Sequence, residues 1–273
     1  MVALQLPAPA LGAIVLTLFN ATPVLASPAE FLERRGYDSF SGFTRITDGA
    51  ALSWYEPYAA TGVNHAVVAN PPGYKCFYGQ SVNLPYVTGW KNFDTLWAIN
   101  LLMLRGHNSE ANNKILREKI LQIAAETKTD ARMILSMIIQ ESGGKLDVRC
   151  TGDNDVNCGI MQAAPGSVPF NLSNPAASID TMIRNGVLGT PGSWPRGGPG
   201  YAWLFNGADG QSWFNLGGSG KPYRSLRAYN TGKVPNQDNL DATGGAGTVS
   251  YVNDIANRLI GWSGKNRGCG YSY

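Results

Sequence analysis

The chain has 273 residues, a net charge of +3 at pH 7 and 15% charged residues. This length accommodates one large domain or a smaller domain with an extension, and the absence of a basic run argues against a nucleic-acid-binding protein. The two histidines and four cysteines have no zinc-type spacing, so no metal and no cofactor is expected.

The N-terminus has the pattern of a secretory signal. Residues 1–26 contain no Asp, Glu, Lys or Arg, and the apolar run at 11–19 is followed by small residues. This predicts cleavage after Ala26 and a secreted, extracellular protein with no membrane association afterwards. A membrane anchor is the alternative, but the run is shorter than the roughly 20 apolar residues that a span needs. The pair Arg34-Arg35 would end a short propeptide, 27–35, unless it is simply a solvated charge pair.

The four cysteines are suited to disulfides in an exported protein. Four cysteines allow three pairings. We favour Cys150 with Cys158, because they are close in sequence, and therefore Cys76 with Cys269.

The elements read in chain order predict a mainly helical fold. Residues 36–91 mix aromatics with Gly, Pro and Asn without periodicity, which predicts turns and short strands. Apolar periodicity and capping residues then predict helices. They cover 92–106, 109–129 with Ser109 as N-cap, 130–142 ending at Gly143-Gly144, 173–186 with Asn174 as cap and Pro175 first, and 248–262. The predicted organisation is an irregular N-terminal extension at 27–105 and a helical domain at 106–273.

One segment, 191–220, holds nine glycines and six aromatic residues. A loop of this length is usually functional or disordered, and its tryptophans argue against disorder. Aromatic faces stack on sugar rings, so Trp194, Trp203 and Trp213 could form a cleft wall. The equally weighted alternative is an aromatic cluster that packs the loop down.

Glu141 stands at the end of an apolar helical stretch, where it shares a face with Ile134 and Ile138. Desolvation and the partial negative charge of a helix C-terminus should both raise its pKa. A carboxylic acid that keeps its proton near neutral pH can protonate a glycosidic oxygen. The alternative is a glutamate that turns into solvent at a frayed helix end.

A polar loop between Cys150 and Cys158 contains Asp153 and Asp155. A loop closed by a disulfide could hold a second carboxylate at a fixed distance from Glu141. Asp147, Asp153 and Asp155 are equally suited to forming turns.

Four stretches occur in a recognisable order. They are QESGG at 140–144, CGIMQA at 158–163, RAYNTGKV at 227–234 and a terminal helix that carries Tyr251, with NPAASIDTMIRNG at 174–186 between the second and third. Over about residues 110–262 the chain resembles the soluble lytic transglycosylase and goose-type lysozyme superfamily. The resemblance implies a mainly helical, lysozyme-like domain that acts on peptidoglycan.

The resemblance also implies roles for individual residues. Glu141 would be the catalytic acid, and the other matched positions would line the site, orient the sugar or begin the closing helix. Gln, Asn and Tyr can bond the acetamido and hydroxyl groups of amino sugars without competing for the catalytic proton. The matched positions are Ser142, Met161, Gln162, Tyr229, Asn230 and Tyr251.

The resemblance leaves two chemistries open. Gly152-Asp153 stands nine residues before Gln162, as in goose-type lysozymes, which predicts hydrolysis with Asp153 as general base and Asp155 in reserve. The sequence departs from that pattern at Ala164, where the family has an aspartate. Lytic transglycosylases use the single glutamate and form 1,6-anhydro products.

The sequence therefore predicts a secreted, monomeric muramidase that cleaves the β-1,4 bond between N-acetylmuramic acid and N-acetylglucosamine. Its partner would be bacterial peptidoglycan or a related amino-sugar polymer. A chitin- or chitosan-cleaving enzyme is one alternative, which faster cleavage of soluble chitooligosaccharides would support. A sugar-binding protein with a decayed site is another, which wall binding without released ends would support.

Overall fold

The computed structural model of the chain describes residues 42–57, 72–192, 197–264 and 267–271, except the side chain of Asp153. The predicted signal at 1–26, the propeptide with Arg34-Arg35, and Trp194 lie outside the described residues. Statements below about the fold refer to the described part of the chain.

The described part is mainly helical, as predicted. Two strands of two residues pair antiparallel, with Gly189 opposite Pro199 and Thr190 opposite Gly198. The elements are α1 Gly49–Leu52, α2 Phe93–His107, α3 Glu110–Thr127, α4 Ala131–Ser142, α5 Pro175–Leu188, β1 Gly189–Thr190, β2 Gly198–Pro199, α6 Tyr201–Phe205, α7 Pro222–Thr231 and α8 Tyr251–Leu259.

Local chemistry explains where these helices begin and end. The Ser109 side chain accepts the N–H of Asn112 at the start of α3, which confirms the predicted cap. Asp130 accepts the N–H of Arg132 at the start of α4. Pro175 is the first residue of α5, where its missing N–H costs nothing. Gly143 ends α4 with a φ of 63°, a left-handed conformation that glycine adopts without steric cost.

Helix α4 lies in the centre of the core. Residues 131–139 are all buried, and the helix packs against α2, α3 and α8. The helix α7 packs in turn against α6 and α8. The two ends that matter for the site, those of α4 and α7, are therefore supported on several sides.

The N-terminal segment shares this core. Residues 72–91 contain no strand, so the short strands expected there are wrong for the part that is described; two 3₁₀ turns, Ser81–Asn83 and Val87–Gly89, take their place. Apolar side chains of this segment, such as Val87 and Trp90, are buried in the same hydrophobic core as the helices. The Lys91 N–H donates to the Leu259 carbonyl at 2.8 Å, and α2 runs through the expected boundary at 105/106.

Both predicted disulfides are confirmed. Cys150 pairs with Cys158, and Cys76 pairs with Cys269 over a separation of 193 residues. The second bond joins the segment before α2 to the C-terminal segment. Across the described residues, every helix is too short or too polar to cross a membrane.

Candidate active site

Glu141 is the last residue but one of α4. The chain turns away directly after it, because Gly143 and Gly144 both have positive φ. A side chain at Gly144 would collide with Leu104 of α2. The carboxyl group is thus carried to the end of a buried helix, where it is half-buried.

One oxygen of this carboxyl group is held by α8. The Tyr251 hydroxyl donates a short hydrogen bond to Glu141 Oε1, and the Tyr251 side chain is only 2% exposed. Glu141 Oε2 has no hydrogen-bond partner among the described residues. One oxygen is therefore anchored by the protein and the other is not.

Burial raises the pKa of Glu141 to about 8, and the hydrogen bond from Tyr251 partly opposes that rise. The direction agrees with the expected effect of desolvation; the expected contribution of the helix C-terminus is not among the causes. The side chain does not turn away into solvent, as the alternative interpretation supposed. At neutral pH most of the Glu141 carboxyl groups carry their proton.

Tyr229, on the last turns of α7, lies beside the carboxyl group. Its hydroxyl donates to the Met161 carbonyl at 2.8 Å. Burial, with a contribution from the Glu141 charge, raises the pKa of Tyr229 well above its usual range. Burial likewise raises the pKa of Tyr251. Both phenols therefore stay protonated and act as donors.

Met161 does not contact the cleft with its side chain, so its expected role as a substrate-lining residue is wrong. The side chain is 0% exposed and packs on α5 at Gly186, where an added Cβ would lie 2.5 Å from the Met161 Cβ. The backbone of Met161, through its carbonyl, positions Tyr229.

Gln162 and Ser142 cross-link the loops around the site. Gln162 Nε2 donates to the carbonyls of Gly159 and Arg149, at 2.9 and 3.3 Å, and its Oε1 accepts from the Thr151 hydroxyl. Ser142 Oγ lies 2.9 Å from the carbonyl of Ile160, which belongs to the 159–162 turn. Because both side chains already have protein partners, they hold the 159–162 turn in place.

Asn230 follows Tyr229 in the chain, and only the oxygen of its side-chain amide is hydrogen-bonded to the described residues. Its Oδ1 accepts from Arg227 Nη1 and from the Thr248 N–H, each at 2.9 Å. Its Nδ2 makes no hydrogen bond to the part of the chain that is described. This amide nitrogen is therefore a donor that a sugar hydroxyl or acetamido oxygen could use.

The expected second carboxylates differ in their surroundings. Asp155 is exposed and lies 3.7 Å from Arg149 in a surface ion pair. Its φ of 53° fits the turn-forming alternative. Asp153 begins the 3₁₀ turn Asp153–Asp155, but its side chain lies outside the described structure. The disulfide and a backbone pair between Thr151 and Asn157 close this loop.

Trp203 packs the 191–220 segment down. It is 5% exposed, its ring meets Phe214 edge-on at 5.5 Å, and its Nε1 donates to Asp209 at 2.9 Å. Trp213 stacks on the same phenylalanine at 3.8 Å. A sugar ring cannot reach a tryptophan buried in this way, so the cleft-wall expectation is wrong for Trp203 and the packing alternative accounts for it.

The sequence did not predict the structural roles of two buried polar groups near the site. Arg227 is 0% exposed, and its guanidinium donates to the carbonyls of Leu240, Thr248 and Val249 at 2.7–3.0 Å. It fastens the 240–249 loop beside Asn230. The only hint of this role in the sequence is the position of Arg227 three residues before Asn230. Arginine side chains are usually exposed, so its burial was not predicted.

The second group is Asp254 of α8, which is fully buried. It accepts hydrogen bonds from Tyr74, Gln140 and Ser250 at 2.7–3.1 Å and forms an ion pair with Arg267 at 2.7 Å. Gln140 directly precedes Glu141. Through Gln140, Asp254 therefore ties the end of α4 that carries Glu141 to α8.

The described residues contain no group of three or more His, Cys, Asp or Glu side chains that could hold a metal ion. Comparisons with protein-family models, with curated proteins and with solved structures found no match for the chain.

Proposed function

We propose that this chain is a secreted enzyme with a lysozyme-like helical fold, of the soluble lytic transglycosylase and goose-type lysozyme superfamily, which cleaves the β-1,4 bond between N-acetylmuramic acid and N-acetylglucosamine in peptidoglycan. One observation carries the proposal. Glu141 is a half-buried carboxyl group with a pKa of about 8, one oxygen anchored by Tyr251 and the other without a hydrogen-bond partner among the described residues. The two disulfides are compatible with secretion.

The first step uses the proton that burial keeps on Glu141. Since Oε1 accepts the bond from Tyr251, the proton is presented on Oε2. It passes to the glycosidic oxygen as the bond to the sugar carbon breaks, and the leaving sugar departs as an alcohol. The Glu141 carboxylate that results is stabilised by the Tyr251 hydroxyl. The free Nδ2 of Asn230 is suited to holding an amino-sugar substituent during this step.

The group that attacks the anomeric carbon distinguishes two versions of the reaction. In hydrolysis with inversion, Asp153 would activate water on the opposite face, at about 6.5–9.5 Å from the acid. In transglycosylation, the Glu141 carboxylate takes the proton from the sugar's own 6-hydroxyl, whose oxygen closes on the anomeric carbon and gives a 1,6-anhydro product.

The two versions differ in the carboxylates that they need. Asp155 is engaged with Arg149 at the surface. A site with one carboxyl group is sufficient for transglycosylation, whereas hydrolysis depends on Asp153.

The test is a digestion of purified peptidoglycan followed by mass analysis of the muropeptides. The wild type should release products, Glu141→Gln should release none while remaining folded, and Glu118→Gln, at an exposed glutamate on α3, should act as the wild type. Products that have gained water indicate hydrolysis and point to Asp153. Products lighter by one water indicate transglycosylation. A wild type that releases nothing from peptidoglycan would overturn the proposal.

A further inference from the structure

A groove of about 550 Å³ lies between α1, the 81–84 turn and the N-terminal end of α7. This volume is typical of sites that hold small ligands. Tyr223 lines the groove, whereas Tyr229, six residues further along α7, bonds the Met161 carbonyl. Six residues of α-helix correspond to a rise of about 9 Å. The groove is therefore separate from the Glu141 site.

The groove offers an aromatic surface. The rings of Trp54 and Tyr86 lie with their centroids 4.4 Å apart and tilted by 55°, and both residues line the groove. Tyr86 is 52% exposed, which is high for an aromatic side chain beside a core. Exposed aromatic faces of this kind bind the apolar C–H faces of sugar rings.

This surface is held rigidly from behind. The Pro85 carbonyl accepts hydrogen bonds from the Tyr223 hydroxyl at 2.6 Å and from Trp90 Nε1 at 3.2 Å. Trp54 meets Tyr223 edge-on at 6.4 Å. Because buried donors fix the residue before Tyr86, little conformational entropy remains to be lost when a ligand binds.

Two cations flank the aromatic pair. Lys221 and Arg224 line the groove, and no Asp or Glu does so among the described residues. Neither cation forms an ion pair with a described carboxylate. Asp48, at the start of α1 and beside the groove, accepts from the N–H groups of Ala50 and Ala51 and from the Ser219 side chain. The groove therefore combines an aromatic surface with two cations that form no ion pair with a described carboxylate, which suits a carboxylate ligand.

We infer that this groove is a second saccharide site, which binds an anionic amino sugar with its ring against Trp54 and Tyr86 and its carboxylate between Lys221 and Arg224. N-Acetylmuramic acid has this chemistry, and its selection as the ligand rests on the proposed function. Such a site retains the protein on a glycan strand away from the bond that is cleaved.

The test uses two monosaccharides that contain no glycosidic bond, so that the wild type can be used. N-Acetylmuramic acid and N-acetylglucosamine are titrated into the full chain and followed by protein NMR. The acid should bind several-fold more tightly. Tyr86→Ala should weaken both sugars about fivefold, whereas Lys221→Ala should weaken only the acid and remove the preference. Tyr78→Ala and Lys114→Ala, at exposed positions outside the groove, are the matched controls.

The inference is overturned if neither sugar binds, if the two bind equally well, or if the groove variants and the controls behave alike. Its outcome is independent of the digestion described above. A groove that binds the acid in a protein that releases no muropeptides would leave this inference standing and remove the proposed function. A protein that cleaves peptidoglycan with an empty groove would do the reverse.

Discussion

Ionisation of the buried Glu141 carboxyl group lowers the stability of the folded protein, and this effect can be measured. Its pKa is about 8 in the folded chain and 4.5 in an ordinary carboxyl group, so the folded state holds more protons than the unfolded state between these values. Stability therefore falls as pH rises from about 4.5 to about 8, with the penalty absent below this window and complete above it.

Glu141→Gln removes this penalty because the amide does not titrate. The free energy of unfolding of the variant, minus that of the wild type, should increase by a few kcal/mol between pH 4.5 and pH 8. Denaturant titrations of both proteins at several pH values measure it. A difference that is constant across this window would show that the carboxyl group ionises normally.

Tyr251 should affect the pH dependence of catalysis as well as its rate. Its hydrogen bond lowers the pKa of Glu141 against the larger effect of burial, so Tyr251→Phe should raise that pKa further. The high-pH limb of kcat/KM, where the general acid loses its proton, should move to higher pH. The rate at neutral pH should fall by up to about 100-fold, since the carboxyl group loses its anchor.

The direction of the pH shift distinguishes loss of the hydrogen bond to Glu141 from a general loss of packing. A variant that is merely less well packed would lose activity without any movement of the limb. A limb that moves to lower pH would contradict the assigned role of the hydrogen bond. The profile is measured on soluble peptidoglycan strands that still contain the bond between N-acetylmuramic acid and N-acetylglucosamine, at a temperature where both proteins are folded.

At the scale of elements, the contact between α5 and the 159–162 turn should be sensitive to a single methyl group. An added Cβ at Gly186 would lie 2.5 Å from the Met161 Cβ and Sδ. Gly186→Ala should therefore destabilise the protein by about 1–3 kcal/mol and lower activity, because Met161 also carries the carbonyl that holds Tyr229.

Gly106→Ala is the matched control for this substitution. Gly106 is also helical, in α2, but an added Cβ there meets nothing within 4 Å. The alanine should stabilise the protein by about 0.5–1 kcal/mol through helix propensity alone. Equal effects of the two substitutions, measured by denaturant unfolding, would show that the contact with Met161 does not matter.

The helices were predictable because their signals are local. Ser109, Asp130, Pro175 and Gly143 act within one turn of their own positions, and the apolar periodicity of α4 is visible without knowledge of its neighbours. The burial of Glu141 followed from the same periodicity. The disulfide pairing was also predictable, from the closeness of Cys150 to Cys158.

The roles of other site residues were not predictable because they depend on distant partners. Met161 is buried against Gly186 of α5, where a larger residue would collide with it. Arg227 is buried because three carbonyls of the 240–249 loop receive its guanidinium. The sequence around Trp203 is equally suited to a cleft wall and to the core, and its burial depends on its contacts with Phe214 and Asp209.

At the scale of the described molecule, the segment before α2 and the C-terminal segment together support the end of α4 that carries Glu141. Asn253 and Asn257 of α8 hold the backbone of Lys75 through hydrogen bonds of 2.7–3.0 Å. Tyr74 and Arg267 bind the same buried carboxylate, Asp254, which also accepts from Gln140. The segment before α2 is thus part of the support for the site, although its sequence gave no sign of a function.

The two disulfides should consequently contribute differently. Cys76–Cys269 closes a loop of 193 residues and Cys150–Cys158 one of eight, for which loop-closure entropy corresponds to upper values of about 5 and about 2.5 kcal/mol. Replacing both cysteines of the longer bridge by alanine should lower the Tm more than replacing both of the shorter one.

Activity should show the opposite order. The 150–158 loop is fastened to the turn beside the site through Gln162, which bonds Thr151 and the Arg149 carbonyl, so losing the shorter bridge frees groups that adjoin Glu141. At a temperature where both variants are folded, kcat/KM on soluble peptidoglycan strands should fall further without Cys150–Cys158. A larger fall in kcat/KM without Cys76–Cys269 would contradict this expected order.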